Sequence, residues 1–166
     1  MAGTKFENAF HDIMRIRFAS AHYTSNKNKF PGMYKGRTRN TIPDAVFDLV
    51  DYKGGLFDGD FVRYYGAAFA EVKAMNGTLY NSSNNGQIYS MLNYMGVNNA
   101  RRHIDGGIFI IGTTSDTRIS NGVYTYAQKM DISVRHYRAY YRMVNNKMYV
   151  SFGFLFYDLT DSAILK

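Results

Sequence analysis

At 166 residues the chain is long enough to bury a substantial core and short enough to form one domain. Twenty Lys and Arg against thirteen Asp and Glu leave a formal charge of +7, a balance that favours polyanionic partners such as nucleic acid or an anionic membrane face. The absence of cysteine excludes disulfides, thiolate metal sites and a cysteine nucleophile, and no apolar run approaches the ~18 residues of a membrane span.

Residues 4–20 carry a helical pattern. Phe6, Phe10, Ile13 and Phe18, helped by Ala9, Met14 and Ala21, approximate one face, with Lys5, Asp12 and Arg15 opposite. Thr4 and Glu7 have the spacing of a capping box, the structural reading of Glu7. From Ser25 to Asn40 the composition turns to Asn, Gly and basic residues, with Lys27, Lys29, Lys35, Arg37 and Arg39 close together. That segment reads as a basic loop, placed where it can touch phosphate.

Thr41 to Val50 is expected to be a strand, with Pro43 at its start because proline lacks a backbone donor. Residues 51–60, with Gly54-Gly55 and Gly59, read as a turn, and 61–65 and 67–74 as further strands. Asn76-Gly77 marks a turn and 81–86 a polar linker. At Gln87 the period changes: Ile88, Met91, Leu92 and Met95 follow the helical template, and Gly96 stands where a glycine would end the helix. Gly106 to Gly112 is a short, wholly apolar strand of the kind covered on both faces. After Thr113 the pattern is ambiguous. Val123 to Lys129 fits strand or helix, and Ile132 to Val144, if extended, lines Arg138, Tyr140 and Arg142 on one face. Asn145-Asn146-Lys147 is a hairpin turn leading into a strand over 148–157.

The chemistry concentrates in Phe69-Ala70-Glu71-Val72-Lys73. As a strand it puts Ala67, Phe69, Glu71 and Lys73 on one face and Ala68, Ala70 and Val72 on the other. A carboxylate and an ammonium on one face of an apolar strand need a reason, because unpaired charge is costly inside a sheet. Phosphodiester hydrolysis supplies one. A hard divalent cation held by Asp44 and Glu71, with the Val72 carbonyl as a third donor, acidifies water and neutralises the phosphoryl group. Lys73 stands beside the developing negative charge, and Gln87 orients the water, the lysine or the phosphate. Each residue also has an ordinary reading: a surface ion pair for Glu71 and Lys73, a turn for Asp44, a first-turn polar residue for Gln87. The four histidines show no paired metal spacing, and neither GxGxxG nor GxxxxGK[ST] occurs.

Pro43-Asp44, then Glu71-Val72-Lys73, then Gln87 opening a helix, resembles the PD-(D/E)xK nuclease superfamily, and is most similar to its VRR-NUC arrangement, over roughly Ile42 to Gly112. The resemblance implies an α/β, restriction-endonuclease-like core (helix, three strands, helix, strand) over about 4–113, with a β-rich, aromatic extension over 114–166, together one domain. It implies a nuclease using Mg²⁺ or Mn²⁺, with catalytic Asp44, Glu71, Lys73 and Gln87 and a further acid from the first helix, Glu7 or Asp12. Asp51, Asp58 and Asp60 are alternative ligands should the strand register differ. The basic residues Lys35, Arg37, Arg39, Arg101 and Arg102, with Tyr89, are the candidates for binding nucleic acid, DNA ahead of RNA. Restriction, repair, phage and toxin roles all fit such a nuclease. A toxin implies an acidic immunity protein as partner; a homodimer is the other arrangement considered. The N-terminus lacks a signal-peptide succession, which places the expected site of action in the cytoplasm, the cell's own or a target's. The competing reading is a non-catalytic nucleic-acid-binding or protein-interaction module on the same scaffold.

Overall fold

The apolar stripe of the N-terminal segment makes α1 (Ala2–Arg17), which buries Phe6, Phe10, Ile13 and Met14 and ends with Arg15 and Arg17 in its last turn, the charge its C-terminus favours. The helix starts at Ala2, so Thr4 lies inside its first turn and the Thr4–Glu7 capping box does not form. The computed structural model describes residues 2–18, 23–48, 67–74, 77–79, 86–104 and 106–165. Among them the chain is mixed α/β, with three helices and several sheets. The turn over 51–60 and the strand over 61–65, with Asp51, Asp58 and Asp60, lie outside the described residues, as does the linker over 81–85.

After β1 (Thr24–Ser25) the segment read as a basic loop is a hairpin, β2 (Phe30–Tyr34) with β3 (Arg37–Thr41). Its two-residue tip, Lys35 and Gly36, has positive φ at both positions, the geometry that matches strand twist in tight hairpins. Pro31 and Gly32 disguise β2 as a loop in the sequence. Gly32 is there because a backbone passes against it: a Cβ would collide with the carbonyl and hydroxyl oxygens of Ser90. Gly32→Ala is therefore expected to lift the hairpin and cost about 1–3 kcal/mol, read as a lower urea midpoint at unchanged slope.

β4 (Ala45–Asp48) starts later than the strand expected over 41–50, since Thr41 belongs to β3. β5 (Ala67–Lys73) matches its expectation and is followed by the short β6 (Gly77–Leu79). α2 (Gly86–Arg101) runs through Gly96 instead of ending there. That glycine serves packing: a Cβ on it would stand 2.5 and 2.9 Å from Met130 side-chain atoms. β7 (Ile108–Thr113), buried throughout, is the covered strand expected. Then come β8 (Thr117–Ile119), α3 (Asn121–Lys129) and β9 (Ser133–Arg138). β10 (Tyr140–Val144) and β11 (Lys147–Ser151) join through Asn145 and Asn146, both at positive φ, as the Asn-Asn turn requires. The strand expected over 148–157 breaks at Gly153, giving β11 and β12 (Phe156–Asp158), and β13 (Ala163–Ile164) closes that sheet.

The central sheet runs β1-β4-β5-β7-β9, antiparallel between β1, β4 and β5 and parallel from β5 through β7 to β9, with α2 and α3 as the crossovers. Its alternation sends Ala45, Phe47, Ala68 and Ala70 into a core with α1, and Phe69, Phe109 and Ile111 into a second core with α2 and α3. The sheet therefore continues past residue 113, where the sequence ended its core. Val150, Phe152 and Tyr157 from the C-terminal sheet join the α1 core, with Phe152 edge-on to Phe10 at 5.0 Å. No described helix is long and apolar enough to cross a membrane.

Candidate active site

The β4–β5 register sets Ala45 against Ala70, so Asp44, at the bend before β4, falls beside Glu71. Each side chain then caps the other's neighbouring backbone. The Asp44 N–H donates to Glu71 Oε1 at 2.9 Å, and the Val72 N–H donates to Asp44 Oδ2 at 2.7 Å. Each carboxylate thus spends one oxygen on a backbone N–H at this end of the β4–β5 pair. The second Glu71 oxygen, Oε2, is ion-paired with Lys73 Nζ at 3.4 Å. Val72 turns its side chain to the α1 core.

This is an uncomfortable place for negative charge. Glu71 is only 2% exposed, and burial, reinforced by the Asp44 charge, pushes its pKa from 4.5 to about 8 despite Lys73 and the Asp44 N–H. Burial also raises the Asp44 carboxyl, with the Val72 N–H pulling the other way. Two oxygen donors whose charge the protein leaves incompletely compensated fit a hard divalent cation. Among the described residues no third His, Asp or Glu converges with them at metal-holding distance.

Of the two acids considered on the first helix, Asp12 is bound to Arg15 at 2.8 Å, whereas Glu7 is near enough for its charge to act on Asp44. Glu7 Oε1 lies 3.4 Å from His11 Nε2, and His11 Nδ1 lies 2.7 Å from the Tyr23 hydroxyl. Burial takes the His11 pKa down to about 4, so near neutrality the ring is uncharged, with one nitrogen donating and the other accepting. The sequence held one sign of this arrangement, the i, i+4 spacing of Glu7 and His11 on one helix face.

Gln87 is the second residue of α2, half-buried, and makes no side-chain hydrogen bond among the described residues. Because α2 crosses over from β5 to the parallel β7, its N-terminus lies at the Lys73 end of the sheet and its C-terminus at the other. That separates the basic candidates. Lys35, Arg37 and Arg39 ride on the hairpin that docks on the first half of α2, through Ser90 Oγ donating to the Arg39 carbonyl (2.5 Å) and the Met33 N–H donating to Asn93 Oδ1 (3.0 Å). Tyr89 stacks obliquely with Tyr34 at 5.7 Å and Tyr126 at 5.1 Å in the same region. Arg101 and Arg102 sit at the far end of a helix about 24 Å long and do not join this group. A cleft of about 360 Å³ beside Gly96, Asn99 and Met130 is also at that far end.

Thr113 went unnoticed in the sequence, where His136 is only one of four histidines without paired metal spacing. Thr113 is in register with Lys73, and His136 with Ile111 and so with Glu71; Thr113 Oγ1 is 2.6 Å from His136 Nε2. Nothing short of the sheet order would have placed them beside the charged strand. Comparison with protein families, curated proteins and solved structures found no match to this chain.

Proposed function

We propose that this protein is a metal-dependent nuclease, hydrolysing phosphodiester bonds of DNA or RNA, built on a restriction-endonuclease-like core. The observation that carries the reading is the reciprocal bonding of Asp44 and Glu71 with the Lys73 amine 3.4 Å away, which joins Asp44 to a strand 27 residues further along the chain. A helix on one face, an antiparallel β4–β5 pair and a parallel β7 reached through a helix on the other face support the core assignment.

Mg²⁺ or Mn²⁺ is the cation suited to oxygen donors from Asp44, Glu71 and the Val72 carbonyl, and when bound it supplies a more acidic water and neutralises phosphoryl charge. The chain's own contributions follow from position. The backbone N–H groups of Asp44 and Val72 each hold one carboxylate in place, so the pair is preorganised. Lys73, its side chain 30% exposed, reaches solvent and stabilises negative charge on the phosphoryl oxygens. Gln87 faces the same end of the sheet, and the hairpin cations with Tyr89 offer backbone contacts and a ring for the substrate strand.

The test is incubation with plasmid DNA and with total RNA in Mg²⁺, Mn²⁺ or EDTA. Cleavage that needs the cation and disappears in Glu71→Ala is the expected result. The rival reading is a module that binds nucleic acid without cutting it. Salt-dependent binding with no cleavage under any cation would establish that rival instead.

A further inference from the structure

Across the parallel strands, Lys73, Thr113 and Arg138 occupy one row. Residues in register share a face, and the rows beneath fix which one: Phe69, Phe109 and Val134 all enter the core under α2 and α3. Arg138 therefore projects from the same side and the same end of the sheet as Lys73. Two strand spacings separate their backbones, about 10 Å. Between them Thr113 is fully buried, its hydroxyl occupied by His136, so Lys73 and Arg138 are the charged members of the row.

The two cations differ in what they already hold. The Lys73 amine is tied to Glu71. Arg138 is exposed and has no carboxylate within ion-pair distance among the described residues. Tyr124, on the first turns of α3 and 41% exposed, is near enough to Arg138 for its hydroxyl to feel the guanidinium charge. An exposed guanidinium with no described carboxylate partner, and an exposed ring within reach of its charge, suit a phosphate with its adjoining base.

We infer that Arg138 binds the substrate strand at a phosphate neighbouring the one at Lys73, with Tyr124 against the adjoining nucleotide. The inference rests on the nuclease reading and extends it by giving the strand a direction, from β5 across β7 to β9. Arg138 is a substrate-binding residue in this account, outside the hydrolytic step.

The experiment compares the native chain, Arg138→Gln and the charge-matched control Lys129→Gln, which lies on α3's last turn at the opposite end of the sheet. Affinity for a fluorescent single strand and a duplex is measured in EDTA over a salt series, and KM and kcat in Mn²⁺. Arg138→Gln is expected to weaken binding and raise KM about tenfold with kcat retained, and to flatten the slope of log affinity against log salt by about 0.7–0.9. Lys129→Gln keeps the native slope. An Arg138→Gln protein that cuts with native KM and native slope overturns this inference and leaves the nuclease reading standing. Equal flattening in both variants overturns it too, since the effect is then general charge. A native chain that neither binds nor cuts removes both.

Discussion

Lys73→Met is expected to lower the cleavage rate about 10²–10³-fold in a protein that remains folded. The amine touches Glu71 Oε2 at 3.4 Å and the side chain is 30% exposed, so an unbranched apolar replacement fills the same path without leaving a buried hole. What goes is positive charge at the mouth of the site, next to a carboxylate pair. Glu71→Gln should cost at least as much for a different reason: it keeps the shape and an acceptor for the Asp44 N–H but removes the charge that draws the cation. The two variants separate on binding. Lys73→Met should still take up Mn²⁺, followed by its electron spin resonance, whereas Glu71→Gln should not. Single-turnover cleavage at saturating Mn²⁺ reads the rate. A Lys73→Met enzyme as fast as the native one would leave the lysine a surface ion-pair partner and nothing more.

The parts of this arrangement visible in the sequence are those governed by short-range pattern. β5 announces itself through strict alternation, and the same alternation that places Phe69 in the core under α2 exposes Glu71 and Lys73 as out of place. The onset of α2 at Gly86–Gln87 follows from the switch to helical period. The C-terminal segments resist because their boundaries are set at long range. α3 buries only Val123 and Ala127, too few contacts to establish a period. β9 passes into β10 with neither Gly nor Pro between them. The break at Ala139 exists because its N–H is taken by the Thr113 carbonyl at 2.9 Å while its side chain is buried. The parity expected to align Arg138 with Tyr140 and Arg142 fails there, because the strands enter different sheets. Asp44 beside Glu71 was inferable as chemistry, but their mutual backbone bonds depend on the β4–β5 register, and the hairpin between β1 and β4 was hidden by the two residues, Pro31 and Gly32, that let it dock.

The second large effect is on stability, and its sign comes from protons. Glu71 titrates near 8 when folded and near its ordinary 4.5 when unfolded, so between those values the folded state holds a proton that the unfolded chain has released. A group of this kind stabilises fully below the lower value and loses that contribution as pH rises toward the upper. His11 and His136 act in the opposite sense. Burial brings both down from 6.5 to about 4, so they destabilise the fold as pH falls below 6.5 and are silent above it. From pH 4.5 to 6.5 the two tendencies oppose each other. Between 6.5 and 8 only the carboxylate side remains, and stability in EDTA is expected to fall with rising pH, at up to about 1.4 kcal/mol per pH unit. Glu71→Gln has no proton to lose there and should be flat across the same window, and more stable than the native chain at pH 8. Millimolar Mn²⁺ should flatten the native profile as well, since a cation between Asp44 and Glu71 takes the place of the proton. Urea unfolding at pH 6.5, 7.25 and 8, with and without Mn²⁺, distinguishes these cases. A native profile that is level in EDTA, or that falls identically in Glu71→Gln, would mean the buried carboxylate carries no unmet charge, and the physical reason for a cation at this site would go with it.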